Sequence, residues 1–199
     1  MSAIIFIRHA ETDLAGTLCG HSDPELNARG YAQLPALIDE LRGQDIGVVY
    51  TSDLRRARTT AAAIAYAFAV HCHACSSLRE IDFGAWEGLS WTEVERRDPA
   101  YASRWLAEYP NLPAPGGEAF SAFEERILHS VHALCKLDIP RNIAVVCHAG
   151  VLRTILCRLQ GQSASDAWQQ TRSYCSIVRH SRDDAAPAST GEVAVRACR

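Results

Sequence analysis

The sequence predicts an α/β fold: a three-layer α/β/α sandwich with a mostly parallel central sheet. Three observations carry that expectation. Short apolar runs rich in Ile and Val ("AIIFI" from Ala3, "DIGVVYTS" from Asp45, "NIAVVCH" from Asn142) read as strands covered on both faces. Stretches of helical period separate them, which implies parallel strands joined by helical crossovers. The 199 residues, 48% of them hydrophobic, are enough for one sizeable core. One domain is expected over 1–199, with a helical, lid-like insertion over the active site at about 89–117.

In chain order, "AIIFI" ends in charge at Arg8 and is followed by a polar, Gly-containing loop. "ELNARGYAQLPALIDELRG" reads as a helix with Asn27 as N-cap and Gly43 after its last turn, and Pro35 inside it should kink it or cost about 3 kcal/mol. After the strand "DIGVVYTS", Ser52 is placed to cap the Ala-rich helix "DLRRARTTAAAIAYAFA". "HCHACS" resumes the alternation and leads into the loop "LREIDFGAWEG". The insertion is rich in Trp, Tyr and charge, and closes at the turn-dense "NLPAPGGE". The helix "EAFSAFEERILHSVHALCKL", the strand "NIAVVCH" and the helix "GVLRTILCRLQ" follow. Two final strands, "YCSIVRHS" and "EVAVRAC", are joined by a polar loop.

The net charge of −3 comes without a one-sided run of Lys or Arg, so no footprint for nucleic acid or a membrane surface is present and any anion site must be local. No apolar window approaches the roughly 18 residues of a spanning helix, and the N-terminus turns to charge too early for a signal peptide. A cytoplasmic protein is expected, its eight cysteines read as reduced thiols.

Ligands of such folds gather at the carboxyl ends of the strands, and three clusters fall there. Arg8 and His9 end the first strand; "TSDLRRARTTA" supplies Arg55, Arg56 and Arg58; "VVCHAGVLR" delivers His148 before a helix N-terminus. Arginines and histidines around one point suit a phosphate dianion, because guanidinium binds its oxygens as a fork. Positive neighbours also keep an imidazole neutral and nucleophilic. A proton donor is still needed, and Glu80 and Glu87 both lie in one loop.

Five segments taken together, "FIRHAET", "GHSDPELNARG", "TSDLRRARTTA", "LREIDFGAWEG" and "VVCHAGVLR", resemble in order and nearly full coverage the histidine phosphatases, the phosphoglycerate mutase-like superfamily. That resemblance implies a phosphomonoester hydrolase without cofactor or metal. His9 would become phosphohistidine, Arg8 and Arg56 would hold the phosphoryl oxygens, His148 would stabilise the transferring charge, and Glu80 would donate the proton. Thr12, Ala149 and Glu87 complete the expected substrate-binding set, with Glu87 as second-choice acid. Within the family, the length, the "GHSDPELNARG" loop and the "PGGEAF" boundary most resemble alpha-ribazole phosphatases of cobalamin synthesis and their small broad-specificity relatives. The implied partner is a small phosphorylated metabolite, not nucleic acid or membrane, and the protein a monomer or homodimer. Two residues depart from the family pattern: Ala10 stands where Gly is common after the histidine, and Ala15 where many members have Asn.

Competing readings are a phosphoglycerate mutase, disfavoured by the short chain, and a silent relative that only binds a phosphorylated ligand, motivated by Ala15. "CHAGVLRT" imitates the phosphate loop of cysteine-dependent phosphatases, with Cys147 as nucleophile and Arg153 after five intervening residues. That reading leaves the Arg-His start and the acid loop without a role. "HCHAC" offers His71, Cys72, His73 and Cys75 to a zinc ion, but alternate residues of a strand face opposite ways. Trp91, Tyr101, Trp105 and Tyr109 suit either a lid or the packing of short helices.

Overall fold

The structure, a computed structural model, describes residues 2–182. Its strands are β1 (Ala3–Arg8), β2 (Ile46–Ser52), β3 (Cys72–Cys75), β4 (Asn142–Cys147) and β5 (Ile177–Ser181). The helices are α1 (Ala28–Leu41), α2 (Arg55–Phe68), α3 (Trp91–Arg97), α4 (Pro99–Glu108), α5 (Phe120–Cys135), α6 (Ala149–Leu159) and α7 (Ala164–Thr171). The strands form one sheet in the order β3-β2-β4-β1-β5, parallel except for β5, which runs antiparallel beside β1. The expected α/β/α sandwich is therefore present. The expected strand "EVAVRAC" lies outside the described residues.

Alternation along the two central strands builds both cores. Ile4 and Phe6 of β1, with Ile143, Val145 and Cys147 of β4, pack against α5 and α6 through Phe123, Ile127, Val151 and Ile155. Ile5 and Ile7, with Ala144 and Val146, pack on the opposite face against Leu37, Leu41, Ala57 and Ile64 of α1 and α2. Each buried aliphatic side chain of this kind contributes about 1.5–3 kcal/mol, which fixes the register of the strands and the position of their ends.

Local details refine the sequence expectations. Asn27 caps α1 by accepting from the Gly30 N–H at 2.8 Å, and the left-handed Gly43 (φ 80°) follows the helix. Pro35 does not interrupt α1: Pro35 and Tyr31, whose carbonyl loses its partner, are both exposed, so water can serve that carbonyl. Ser52 does not cap α2. The helix begins at Arg55 after Leu54, and the Ser52 hydroxyl accepts from the Leu54 N–H at 3.3 Å, two residues too early for a cap. α7 has no counterpart among the elements expected from sequence, although Ser163 caps it by accepting from the Asp166 N–H.

Between the acid loop and α5, residues 91–108 form α3 and α4. The Trp86 ring meets Trp91, Tyr101 and Trp105 edge-on at centroid distances of 5.5–6.1 Å, over buried Leu89, Val94 and Ala102. The aromatic residues of this segment thus build a small core of their own, and Tyr109 alone among the four singled out above stays largely exposed.

Candidate active site

Register brings the two histidines together. Arg8 of β1 pairs with Cys147 of β4, so the next residues, His9 and His148, leave neighbouring strand ends side by side. The His9 N–H continues the ladder to the Cys147 carbonyl at 2.9 Å, and the imidazole centroids stand 5.1 Å apart. Both rings are buried, His9 to 7% exposure and His148 to 1%. His9 Nδ1 lies 2.7 Å from the Ala10 carbonyl, which can only accept, so Nδ1 carries the proton and Nε2 presents the unprotonated lone pair. Neither ring nitrogen of His148 has a hydrogen-bond partner among the described residues.

Arg56 occupies the first turn of α2 and is fully buried. Its Nε donates to His9 Nε2 at 3.2 Å, while its Nη atoms donate to the carbonyls of Ser22 (2.5 Å), Gly20 (2.7 Å) and Cys19 (3.3 Å). Arg8 is held from the other side. Its Nη1 donates to the carbonyls of Thr171 (2.9 Å) and Arg172 (2.7 Å) at the end of α7, and its Cζ lies 4.1 Å from the Tyr174 ring centroid. Burial first, then the charge of Arg56, pushes the pKa of each imidazole well below its ordinary value, and both rings are neutral near pH 7.

The two candidate acids separate. Glu80, 8% exposed, accepts from the Gly150 N–H at 2.8 Å and so stands against the first turn of α6, two residues from His148. A Cβ on Gly150 would fall 2.2 Å from Glu80 Oε1, which is why this position is Gly. Glu87 instead accepts from the backbone N–H groups of Gly20, His21, Ser22 and Phe83 at 2.8–3.1 Å. Those bonds hold its carboxyl pKa down against the opposing effect of burial. Its carboxylate pins the loop that Arg56 also grips, and it is not brought to the histidine pair.

The remaining predicted residues have clear places. Thr12 is buried and bridges to Leu26, Ala149 opens α6 directly after His148, and Arg55 turns outward to Glu25. Ala10 does not adopt positive φ, and its N–H donates to Thr60 Oγ1 at 3.1 Å, so the backbone demand that could disfavour Ala does not arise. Ala15 is exposed in a turn after Thr12. Cys147 is fully buried in the α5–α6 core, and burial pushes its thiol pKa strongly upward, the reverse of an activated thiolate. On β3, Cys72 and Ala74 are exposed while His73 and Cys75 are half-buried, and among the described residues no three His, Cys, Asp or Glu side chains converge on a metal position.

Sequence reasoning missed three supports. Arg126 of α5 donates to both carboxylate oxygens of Glu118 and to the carbonyls of Ser77, Arg79 and Glu80, fixing the loop that presents the acid. Tyr174 lies against Arg8 with its ring 5.7 Å from His9. Arg153 of α6 donates from Nε to Thr171 Oγ1 at 3.1 Å, and the carbonyl of that same Thr171 holds Arg8. Two stretches gave a sequence signal for them: the "PGGE" turn, which carries Glu118, and "CHAGVLRT", which singles out Arg153 for a different, cysteine-based chemistry.

The histidine phosphatase superfamily (branch 1) matches residues 4–191. The chain belongs to that superfamily. It is 32% identical over 92% of its length to the metal-independent phosphoserine phosphatase of Arabidopsis thaliana, of which the match spans 78%. It is also 32% identical to the adenosylcobalamin/alpha-ribazole phosphatase of Escherichia coli, over 81% of each chain. The crystal structure of a putative alpha-ribazole-5'-P phosphatase from Escherichia coli superposes with a TM-score of 0.76 at 30% identity, over 84% of each chain. As a histidine phosphatase the protein is a hydrolase of phosphate esters, and its relatives act on small phosphorylated compounds. No helix among the described residues is long and apolar enough to cross a membrane.

Proposed function

We propose that the protein hydrolyses small phosphomonoesters in two steps through a phosphohistidine on Nε2 of His9. In the first, Nε2 attacks phosphorus, the bond to the ester oxygen breaks, and Glu80 gives its proton to that departing oxygen. In the second, Glu80 takes a proton from water as the water oxygen attacks phosphorus, releasing inorganic phosphate and restoring neutral His9 and protonated Glu80. Arg8, Arg56 and His148 stabilise charge on the equatorial oxygens, the main requirement of phosphoryl transfer. The observation that carries this reading is the pair of buried neutral imidazoles 5.1 Å apart between two guanidiniums, one imidazole with its unprotonated Nε2 turned to the Arg56 guanidinium that would hold the phosphoryl group.

For the alcohol, alpha-ribazole 5'-phosphate is supported by the motif resemblance and by the names of the Escherichia coli relatives. Phosphoserine is a second reading, supported by the name of the Arabidopsis thaliana relative and by a third guanidinium, Arg153, anchored on the Thr171 that also holds Arg8. The proposal extends to a cytoplasmic monomer or homodimer that hydrolyses its substrate rather than passing the phosphoryl group to a second alcohol. The test uses 4-nitrophenyl phosphate and radiolabelled substrate with wild type, His9→Ala and Cys147→Ser. Turnover and an acid-labile, base-stable label are expected in wild type and Cys147→Ser and in neither case for His9→Ala. Loss of all turnover in Cys147→Ser would transfer the role to the thiol. A wild-type protein that binds phosphate esters without hydrolysing them would be the silent relative.

A further inference from the structure

Arg153 is a charged group near the site for which the two-step chemistry has no use. On α6 it lies three residues after Gly150, the residue whose N–H holds Glu80, and such i, i+3 pairs share one helix face. Its guanidinium is fixed from the side of α7. Nε donates to Thr171 Oγ1 at 3.1 Å, and Cζ sits 3.9 Å from the centroid of the Trp168 ring. The carbonyl of the same Thr171 holds Arg8, so one residue at the end of α7 aligns both guanidiniums. Glu80 and Arg8 are the charged neighbours that act most on Arg153.

The fork of this group is unspent. Among the described residues neither Nη of Arg153 has a hydrogen-bond partner, and no carboxylate forms an ion pair with it. The side chain is half-buried, and burial lowers its pKa, so an oriented cation is held without a carboxylate in direct contact. Position then decides what it can bind. In the mechanism above, Glu80 marks the ester oxygen that departs, and Arg8 marks the phosphoryl group. Arg153, beside both, stands on the leaving-group side, where it meets the alcohol portion of the substrate.

We propose that Arg153 binds a carboxylate on that alcohol, so the preferred substrates are phosphomonoesters of short hydroxy acids with the carboxylate on the carbon next to the phosphorylated one. A planar guanidinium with a free fork matches a carboxylate in a bidentate geometry. A flat heterocycle is a poorer match, because the guanidinium already covers a face of the Trp168 indole. This inference rests on the phosphohistidine reading and selects between the leaving groups that reading leaves open.

The test compares kcat/KM within two pairs that differ by the carboxylate: O-phosphoserine against O-phosphoethanolamine, and 3-phosphoglycerate against glycerol 3-phosphate. Wild type should favour the acid of each pair by about tenfold or more, the size of one charge-assisted contact. Arg153→Gln should reduce that preference to within about threefold, chiefly through a raised KM for the acid, and Arg153→Lys should recover part of it. Equal use of both members by wild type, a preference that survives in Arg153→Gln, or faster turnover of alpha-ribazole 5'-phosphate than of either acid would each overturn the proposal. Should Arg153→Gln fail to fold, the wild-type ratios and Arg153→Lys still decide. Hydrolysis of 4-nitrophenyl phosphate with flat pair ratios would remove only the role of Arg153, whereas no hydrolysis of any ester would remove the phosphohistidine reading as well.

Discussion

Replacing Gly150 by Ala tests the role of Glu80 without touching the carboxylate. The added Cβ would stand 2.2 Å from Glu80 Oε1, 3.0 Å from Cδ and 3.2 Å from Oε2. Ordinary contact requires about 3.5 Å, so the carboxylate must retreat by about 1 Å, giving up its bond from the Gly150 N–H or the one from the Ile81 N–H at 3.0 Å. A misplacement of that size costs a catalytic group on the order of 10²-fold in rate. The helix itself gains, since Ala is better than Gly inside a helix by about 0.5–1 kcal/mol, and the fold should survive. The assay is kcat/KM, which reports only the step that releases the alcohol. For glycerol phosphate, whose alkoxide must be protonated, kcat/KM should fall about 10²-fold. For 4-nitrophenyl phosphate, whose phenolate leaves unprotonated, it should fall less than about tenfold. A burst of nitrophenolate should appear, because the same displaced carboxylate is then slow to activate water against phosphohistidine. Equal losses for the two esters, or no loss for either, would refute the assignment of Glu80 as proton donor.

Other perturbations read the supports. Arg126→Met strands the Glu118 carboxylate and frees three carbonyls of the acid loop; urea unfolding should register a loss of about 3 kcal/mol, and kcat/KM should fall more for alkyl than for aryl phosphates. Stability should also depend on pH through His9 and His148, neutral when folded but protonated in the unfolded chain below about pH 6.5. Their contribution is complete above that pH and is lost as the pH falls toward the depressed folded values, by at most about 1.4 kcal/mol per pH unit for each ring. Urea titrations at pH 7.5 and 5.5 should give a smaller difference for His148→Asn than for wild type, and an equal difference would contradict the depressed pKa.

The parts of the site that rest on local pattern were legible, and those that rest on tertiary placement were not. β1 and β4 could be read because an apolar run that stops at a charge is both a strand and a strand end, and parallel pairing then brings Arg8-His9 and His148 together. The start of α2 was misplaced because a hydroxyl near a helix start looks the same in sequence whether it caps the helix or the turn before it. α7 escaped notice because it is short and buries only Ala167 and Thr171, so its periodicity is weak, although the Ser163-to-Asp166 spacing is a capping signal. Glu80 and Glu87 are seven residues apart in one loop, and only the N–H groups around each carboxylate tell them apart. Arg126 and Arg153 lie on amphipathic helices, where an arginine is ordinarily a solvated face; nothing local marks one that turns inward.

How the arginines are anchored explains why this corner can hold a dianion at all. Arg79, Arg141 and Arg158 are fixed by carboxylates, which neutralise the charge they position. Arg8 and Arg56 are fixed by backbone carbonyls instead: Thr171 and Arg172 for one, Cys19, Gly20 and Ser22 for the other. A carbonyl dipole orients a guanidinium while leaving its full charge in place, and that charge adds to burial in depressing the imidazole pKa values and draws a phosphate. Turning its carbonyls to Arg56 leaves the N–H groups of that loop in need of acceptors, and Glu87 supplies one by accepting from Gly20, His21 and Ser22. Glu87 therefore acts on the site through the loop that Arg56 grips: its carboxylate is occupied by backbone donors rather than paired with Arg56, and the Arg56 Nε is left facing His9.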